Sequence, residues 1–418
     1  MSNPRIVLDI GGCTTRAGHG NTTAPKVTTQ TAVARAKRRD RSTILTGEKI
    51  SHFPEIILSR PLTRGLLLDP ETLKAILESE IFNRNSGMGS LEKLHAKTSA
   101  VIAISPQTPE SVTEQYFQVF LDDLKFDSIA LIESSIAATF SPSIAKQLYW
   151  NREGIKQRLS EQHEEFFSGY TTMVIILGFS GSFIVPIING RPLPAATRRM
   201  SVGGRVMNNY LKEVLAFGQV DLEDSPILIQ KIRELCCFVA DDFQAGLREI
   251  VKGLDPQVDH DRLNGFGVLP VKLPSFQPPD YEPEIALDAG SIKMGRERIA
   301  VPEILFRPAI AGLDEPGIVD TVAEALAQCP SPARHVLTQN IIVCGALAQT
   351  PGLLDRLKSE IRGNIPADFN LNFIVEEDGR LDLTIFRGCA AAAGDDATFS
   401  SLGVVTREQI LSQRGLAI

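Results

Sequence analysis

The stretch that decides the fold is residues 173–205, MVIILGFSGSFIVPIINGRPLPAATRRMSVGGR. Its apolar run 173–177 is long enough for one buried strand, and residues 183–188 predict a return strand. The residues between them form a glycine-containing turn, and Asn189-Gly190 is a strong hairpin signal. Strand, turn and strand in this order place backbone N–H groups where a phosphate could bind. Neither the strands nor the two turns contain an acid, a base or a cation, so the shape of a phosphate loop is present without its charges.

A second strand-turn-strand unit stands near the N-terminus, RIVLDIGGCTTRAG at residues 5–18. Its chemistry is better suited to a phosphate: Asp9 could hold a metal-bound water and Arg16 could contact the anion. Gly11 and Gly12 would let the backbone approach closely. Two such loops can face each other across a cleft and hold a nucleotide. The alternative is an ordinary hairpin at a sheet edge.

Composition places the chain among soluble globular proteins with a sizeable core. It has 418 residues, 43% hydrophobic and 22% charged, which is compatible with about two to four domains or one large α/β body. A net charge of −7 argues against a dedicated nucleic-acid binder. No apolar run reaches the roughly 18 residues of a membrane span, and no signal-peptide pattern opens the chain. The adjacent Cys236 and Cys237 are expected to be core thiols, which favours a reducing compartment, cytosol or nucleus.

Predicted strands at 99–104 and 129–132 alternate with predicted helices, and this pattern indicates an α/β sheet with helical crossovers. Residues 227–247 predict one long helix. Two segments interrupt the pattern. Residues 141–170 predict an inserted helical excursion, and the proline- and aspartate-rich residues 253–290 predict an extended insertion suited to partner binding.

Residues 35–41, RAKRRDR, form a basic run in which five of seven positions are Lys or Arg. One interpretation is a solvated loop. The other is a nuclear-import signal or a nucleic-acid contact.

Seven stretches in register resemble the actin family, and the resemblance spans nearly the whole chain. Beside the central loop they are LDIGGCTTRAG (8–18), SVGGRVMNNYL (201–211), RELCCFVADDF (233–243), RERIAVPEILFRP (296–308), NIIVCGALAQTPGLLDRL (340–357) and VVTREQ (404–409). The resemblance implies an actin-like α/β fold with insertions: two related α/β domains, divided into four subdomains, around a nucleotide cleft. The implied division is 1–30, 66–141 and 384–418 for subdomain 1, 31–65 for subdomain 2, 142–202 and 313–383 for subdomain 3, and 203–312 for subdomain 4.

Within the actin-related proteins the chain is similar to the sixth class, the nuclear subunit of the Swr-type remodeller that exchanges histone variants. GGRVMNNYLKEVLAFGQV (203–220) and GFGVLPVKLPSF (265–276) resemble segments typical of that class. The resemblance implies nuclear localisation, with the cytoplasm as the alternative, and a scaffold role in chromatin remodelling. The partners it implies are a zinc-finger HIT-type subunit, the remodeller's ATPase core and nucleosomal DNA. Residues 38–43 stand for a shortened filament loop, so no filament is expected.

The resemblance also assigns a nucleotide site, residue by residue. Asp9 matches the aspartate of the first loop, and Arg16 replaces a lysine with its charge kept. The remaining matches are structural glycines and residues near the ribose and adenine: Gly11, Gly12, Gly178, Gly204, Arg205, Arg233, Glu234 and Gly345.

The central loop departs from the family pattern. Ile176, Phe179 and Phe183 stand where actins have two aspartates and a histidine, and Ser134 aligns with the glutamine that orients the attacking water. Hydrolysis needs a metal-organised polar shell around the γ-phosphate, so no catalytic residue, no resident metal and no meaningful ATPase are expected. The first loop keeps the residues expected to bind a phosphate, and the central loop does not. ATP is therefore expected to bind at low occupancy at most, and no cofactor is required.

Two alternatives remain open at this point. A pointed-end actin-related protein of dynactin shares some of these sequence traits. An active ATP-binding enzyme of the actin superfamily is the third hypothesis, and it belongs to a different functional class.

Overall fold

The computed structural model describes residues 5–37, 44–52, 55–89, 98–156, 170–253, 269–272 and 291–413. The strands are β1 Arg5–Ile10, β2 Thr14–His19, β3 Val27–Gln30, β4 Val33–Ala36, β5 Leu45–Thr46, β6 Ile56–Ser59, β7 Leu62–Thr63, β8 Leu66–Leu67, β9 Ser99–Ile104, β10 Ser128–Glu133, β11 Thr172–Leu177, β12 Ser182–Ile188, β13 Arg191–Pro192, β14 Arg198–Met200, β15 Leu269–Lys272, β16 Ser291–Met294, β17 Ile341–Cys344, β18 Phe373–Ile374 and β19 Val405–Thr406.

The helices alternate with these strands. They are α1 Pro70–Ile76, α2 Glu110–Phe117, α3 Ser134–Phe140, α4 Pro142–Lys156, α5 Gly204–Gly218, α6 Pro226–Cys236, α7 Phe243–Gly253, α8 Glu297–Glu303, α9 Ile318–Gln328, α10 Ser331–Gln339, α11 Leu353–Asn364, α12 Thr384–Gly394, α13 Asp396–Ser401 and α14 Arg407–Gln413. Within the described part of the chain, no helix combines the length and the apolar character that crossing a membrane requires.

Two large sheets repeat one local arrangement. In the first, ordered β19-β10-β9-β1-β2-β3, strand β1 pairs antiparallel with β2 and parallel with β9. In the second, ordered β13-β12-β11-β17-β18, strand β11 pairs antiparallel with β12 and parallel with β17. Each sheet therefore contains one hairpin extended by a parallel strand. The predicted α/β class is confirmed.

Burial on both faces explains the apolar sequence of the central strands. All six residues of β11 are buried, as parallel strands covered by helices require. Helices α5, α6, α9, α10 and α11 contribute to the core of the second sheet. The first sheet carries separate cores on its two faces, with α1 and α2 on one and α12 on the other. The sheets hold the two hairpin turns in place.

The hairpins are where the sequence predicted them. The return strand after the central turn ends at Ile188, and Asn189 and Gly190 have positive φ of 53° and 76°. This is the backbone that an Asn-Gly hairpin turn requires. The N-terminal hairpin differs from the alternative interpretation, because β1 lies inside its sheet between β2 and β9 and not at an edge.

The single long helix predicted over residues 227–247 is wrong: the structure has two helices, α6 and α7. The chain leaves the helical conformation at Cys237 (φ −88°, ψ 144°). The Phe238 and Val239 N–H groups donate to the carbonyls of Arg298 and Pro351, at 3.0 and 2.8 Å. Asp242 then caps α7, accepting a hydrogen bond from the Ala245 N–H at 2.9 Å. Tertiary hydrogen bonds override the apolar periodicity here.

The structure describes only part of the two predicted insertions. The predicted helical excursion at 141–170 begins as α4, but residues 157–169 lie outside the described residues. Of the 253–290 insertion, the structure describes strand β15, which pairs antiparallel with β16. Arg38–Arg39 and the rest of the shortened loop also lie outside the described residues. All six cysteines are buried and unpaired, as predicted for Cys236 and Cys237.

Candidate functional site

The turns of the two hairpins face each other and touch. In the first turn the Gly11 N–H donates to the Thr14 carbonyl at 3.0 Å, and in the central turn the Gly178 N–H donates to the Gly181 carbonyl at 3.2 Å. A Cβ atom on Gly12 would lie 2.0 Å from the Ser180 hydroxyl oxygen. A side chain at position 12 would force the Ser180 side chain to move, so Gly12 allows the present close contact between the two turns.

The first two residues of α5 hold the central turn through backbone hydrogen bonds. The Gly204 N–H donates to the Gly178 carbonyl at 3.1 Å, and the Arg205 N–H donates to the Phe179 carbonyl at 2.9 Å. Both residues were predicted near the ribose and adenine. In the structure they contact the turn through their backbones and line neither of the two cavities described below.

Charges at the first turn are paired with one another. The Arg16 guanidinium lies between two carboxylates, with Nη1 3.4 Å from Asp9 Oδ2 and Nη2 3.0 Å from Asp382 Oδ2. Asp382 also accepts from Arg380 Nε at 3.0 Å and from Gln349 Nε2 at 2.9 Å. The cation that could contact a phosphate therefore already has two anionic partners.

These pairings oppose the effect of burial on the acids. Burial raises the pKa of Asp9 above its ordinary value, although the charge and hydrogen bond of Arg16 act in the other direction. Burial also acts to raise the pKa of Asp382, but hydrogen bonds from Arg380 and the charge of Arg16 hold that pKa below its ordinary value. Sequence reasoning missed Asp382. No motif marks it, because it meets Arg16 only through the fold.

Two cavities adjoin the turns. The larger, about 1080 Å³, is lined by Arg16, Arg233 and Glu234 among the predicted site residues, and by Lys49, Gln230, Lys231 and Asp382. The smaller, about 140 Å³, lies at the turns themselves. Its lining includes Asp9, Gly11, Gly12, Arg16, Gly178 and Gly345, together with the apolar Ile176, Phe179 and Phe183.

The polar groups at the larger cavity form one network on α6. Arg233 Nε donates to Asn208 Oδ1 at 2.7 Å, and its Nη2 lies 3.3 Å from Glu234 Oε1. Gln230 Nε2 donates to the same glutamate oxygen at 2.9 Å. At the smaller cavity, Gly345 has φ +103°, and a Cβ there would lie 2.3 Å from the Leu177 carbonyl oxygen. This backbone position explains why the turn after β17 carries glycine.

Two arginines stack on aromatic rings that line the smaller cavity. The Arg60 guanidinium lies 4.8 Å from the centroid of the Phe179 ring, and the Arg199 guanidinium 5.6 Å from that of Phe183. Ile176 and Phe183 are cross-strand partners and are 6% and 8% exposed. Arg60 is a second residue that sequence reasoning missed. A single arginine before a proline gives no signal of its own.

A magnesium-bound triphosphate does not fit the residues at this end of the cleft. Magnesium takes carboxylate and phosphate oxygens as ligands, and both nearby carboxylates, Asp9 and Asp382, are paired with Arg16. Over the described ranges, no group of three or more His, Cys, Asp or Glu side chains lies close enough together to hold a metal ion. Ser134, at the position of the water-orienting glutamine, lines the small cavity with a short hydroxyl side chain.

Comparison with known proteins identifies the class to which this architecture belongs. The family model described as Actin matches residues 1–227 and 222–408. Because these matches cover most of the chain, the protein belongs to the actin family.

Several relatives of this chain have the same name. It is 27% identical over 389 residues to Actin-related protein 6 of Drosophila melanogaster, covering 90% of each chain. It is 25% identical over 388 residues to Actin-like protein ARP6 of Yarrowia lipolytica, covering 91% of this chain and 89% of the relative. Actin-related protein 6 of Oryza sativa subsp. indica is 25% identical over 405 residues, with 89% of each chain covered. The resemblance to the sixth class of actin-related proteins is confirmed at this level.

Proposed function

We propose that this protein is a non-catalytic scaffold subunit of a nuclear, ATP-dependent remodelling complex that exchanges histone variants. The similarity to relatives named Actin-related protein 6 over about nine-tenths of their length supports the class. The absence of catalysis in this proposal rests on the side chains that line the small cavity. This cavity presents Ile176, Phe179 and Phe183 where hydrolysis would need polar groups.

Loss of ATP turnover follows from the same residues. An attacking water must be oriented and a metal must neutralise the developing charge on the phosphate. Apolar side chains at three positions provide neither function, and the arginine of the first turn is engaged by Asp9 and Asp382. We therefore assign no catalytic residue. The ten predicted site residues, including Gly204 and Arg205, stay predictions for nucleotide contact, and a nucleotide at low occupancy would be structural.

A large rigid body without a reaction is suited to binding other proteins. We assign the partner contacts to the two segments predicted as insertions, 141–170 and 253–290, because loops of this kind commonly carry contacts. The proposed partners are a zinc-finger HIT-type subunit, the remodeller's ATPase core and nucleosomal DNA. The basic run at 35–41 is the proposed DNA contact, and the proposed location is the nucleus. Filament formation is not part of the proposed role.

Affinity purification from nuclear extract tests the assignment. A tagged copy of the chain is purified beside tagged conventional actin from the same cells, and associated proteins are identified by mass spectrometry. The expected result is recovery of the remodeller ATPase and the HIT-type subunit with this chain. Recovery of dynein-associated subunits alone would replace the proposal with the dynactin alternative.

A further inference from the structure

A backbone hydrogen bond, an ion pair and an apolar contact join the two sides of the cleft mouth. The small sheet β5-β4-β6 lies on one side, and the start of α6 lies on the other. The Ile56 N–H donates to the Asp224 carbonyl at 3.0 Å, and the Lys37 ammonium pairs with the Asp224 carboxylate. Ile227 of α6 is 8% exposed because it packs into the apolar cluster of the small sheet, formed by Ala32, Ala34, Leu45, Ile50 and Ile56.

Arg60 joins the first turn to the central turn. Its Nη1 donates to the carbonyls of Gly12, Cys13 and Thr31 at 3.1, 3.2 and 3.3 Å. Its guanidinium also stacks on Phe179 of the central turn. Burial lowers the pKa of Arg60, and the positive charge of Arg205 acts in the same direction. One side chain therefore connects the first turn, Thr31 between β3 and β4, and the central turn.

Beside these contacts, Cys13 Sγ donates to Gln230 Oε1 at 3.0 Å, which ties the first turn to α6. Each of these contacts joins two groups of the protein directly, without a ligand between them. In a protein whose two halves are bridged by a ligand, closure depends on the ligand's differential affinity for the closed state. Here the closed state has its own stabilising contacts.

We propose that the cleft of this protein is held closed by an internal latch, formed by Arg60, Phe179, Asp224 and Ile227, so that its shape does not depend on a bound nucleotide. The Arg60 guanidinium places a positive charge of the protein itself in contact with both turns. The latch explains how a platform can present one fixed surface to partners while its cleft performs no reaction. It is a property of the isolated chain and does not require membership of any complex.

Distance measurement across the mouth tests the latch. Ser59 and Glu213 are exposed and lie on the two sides, and all six native cysteines are buried, so Ser59→Cys and Glu213→Cys can be spin-labelled selectively. Pulsed dipolar spectroscopy on the purified full chain is expected to give one narrow distance distribution. Millimolar magnesium ATP should leave it unchanged.

Variants decide whether Arg60 is responsible. Arg60→Ala is expected to broaden the distribution and lengthen its mean. Arg60→Lys should do so in part, because an ammonium cannot reproduce the planar fork. If Arg60→Ala does not fold, Phe179→Leu tests the same contact, since it keeps apolar volume but removes the ring face, and it should also broaden the distribution. The proposal is overturned if magnesium ATP narrows or shifts the wild-type distribution, or if the folded variants match the wild type.

Discussion

Glu303 at the end of α8 is a buried acid with two basic neighbours. It is 1% exposed, and its Oε1 lies 3.4 Å from Arg307 Nε and 3.6 Å from Arg356 Nη2. Neither separation is a hydrogen bond, and Oε1 accepts none from the described residues. Burial therefore raises the pKa of Glu303 to about 7, although both arginines act to lower it. The ionised form is poorly compensated in the fold.

Replacing Glu303 by glutamine should flatten the dependence of stability on pH. An unfolded glutamate ionises near pH 4.5, whereas the folded protein holds this proton up to about pH 7. The contribution of the protonated Glu303 side chain to the free energy of unfolding is fully present below pH 4.5. It is lost as the pH rises through 7. Relative to Glu303→Gln, the wild type should lose about 3 kcal/mol of unfolding free energy over this window, as an upper bound.

Denaturant unfolding at a series of pH values checks this prediction. The exposed Glu213→Gln is the control, and it should reproduce the wild-type profile. A Glu303→Gln profile parallel to that of the wild type would contradict the assignment of the acid pKa.

At the scale of elements, the closest helix contact joins α3 and α12. A Cβ on Gly388 would lie 1.7 Å from the Ala137 carbonyl oxygen, a backbone atom that cannot move aside without shifting the helix. The small residues Gly388, Ala390 and Ala393 thus let α12 pack against the first sheet and α3.

Gly388→Ala should lower the unfolding free energy by about 3 kcal/mol, because an extra methyl group in a tightly packed contact forces the helices apart. Gly363→Ala is the matched control, since Gly363 lies in helix α11, is exposed and would meet no atom within 4 Å. That control should gain up to about 1 kcal/mol from better helix propensity. Equal effects of the two substitutions would show that packing at Gly388 is unimportant.

Elements with purely local signals are the ones that sequence reasoning placed well. Strand β9 begins and ends where its apolar run predicted, at residues 99 and 104. The boundary between α6 and α7 was not predictable, because it depends on the carbonyls of Arg298 and Pro351, far along the chain. Arg60 and Asp382 were missed for the same reason: each acquires its role from partners that only the fold brings near.

At the scale of the whole molecule, two hairpins with the same sheet context face each other. Strand β15, within the segment 253–290, pairs with β16, which follows that segment. Residues 273–290 connect these two strands in sequence, and their proposed role in partner binding can be tested by replacing them. These residues lie outside the described part of the chain.

Removing residues 273–290 and joining β15 to β16 through a short glycine-serine turn should abolish recovery of the remodeller subunits in the nuclear purification. The free energy of unfolding should change by less than about 1 kcal/mol, because loop closure depends only weakly on loop length. An 18-residue glycine-serine replacement of the same segment is the control that separates sequence from length. Full recovery of partners with both variants would assign the contact to another surface.

The central claim is that this protein does not hydrolyse ATP, and a phosphate-release assay tests it. The purified chain is incubated with ATP and magnesium beside Asp9→Asn, a variant that removes the carboxylate of the first turn. We expect neither protein to release phosphate above the protein-free background, because Ile176, Phe179 and Phe183 line the cavity at the two turns where hydrolysis would need polar groups. Stoichiometric, repeated turnover by the wild type that Asp9→Asn abolishes would contradict it.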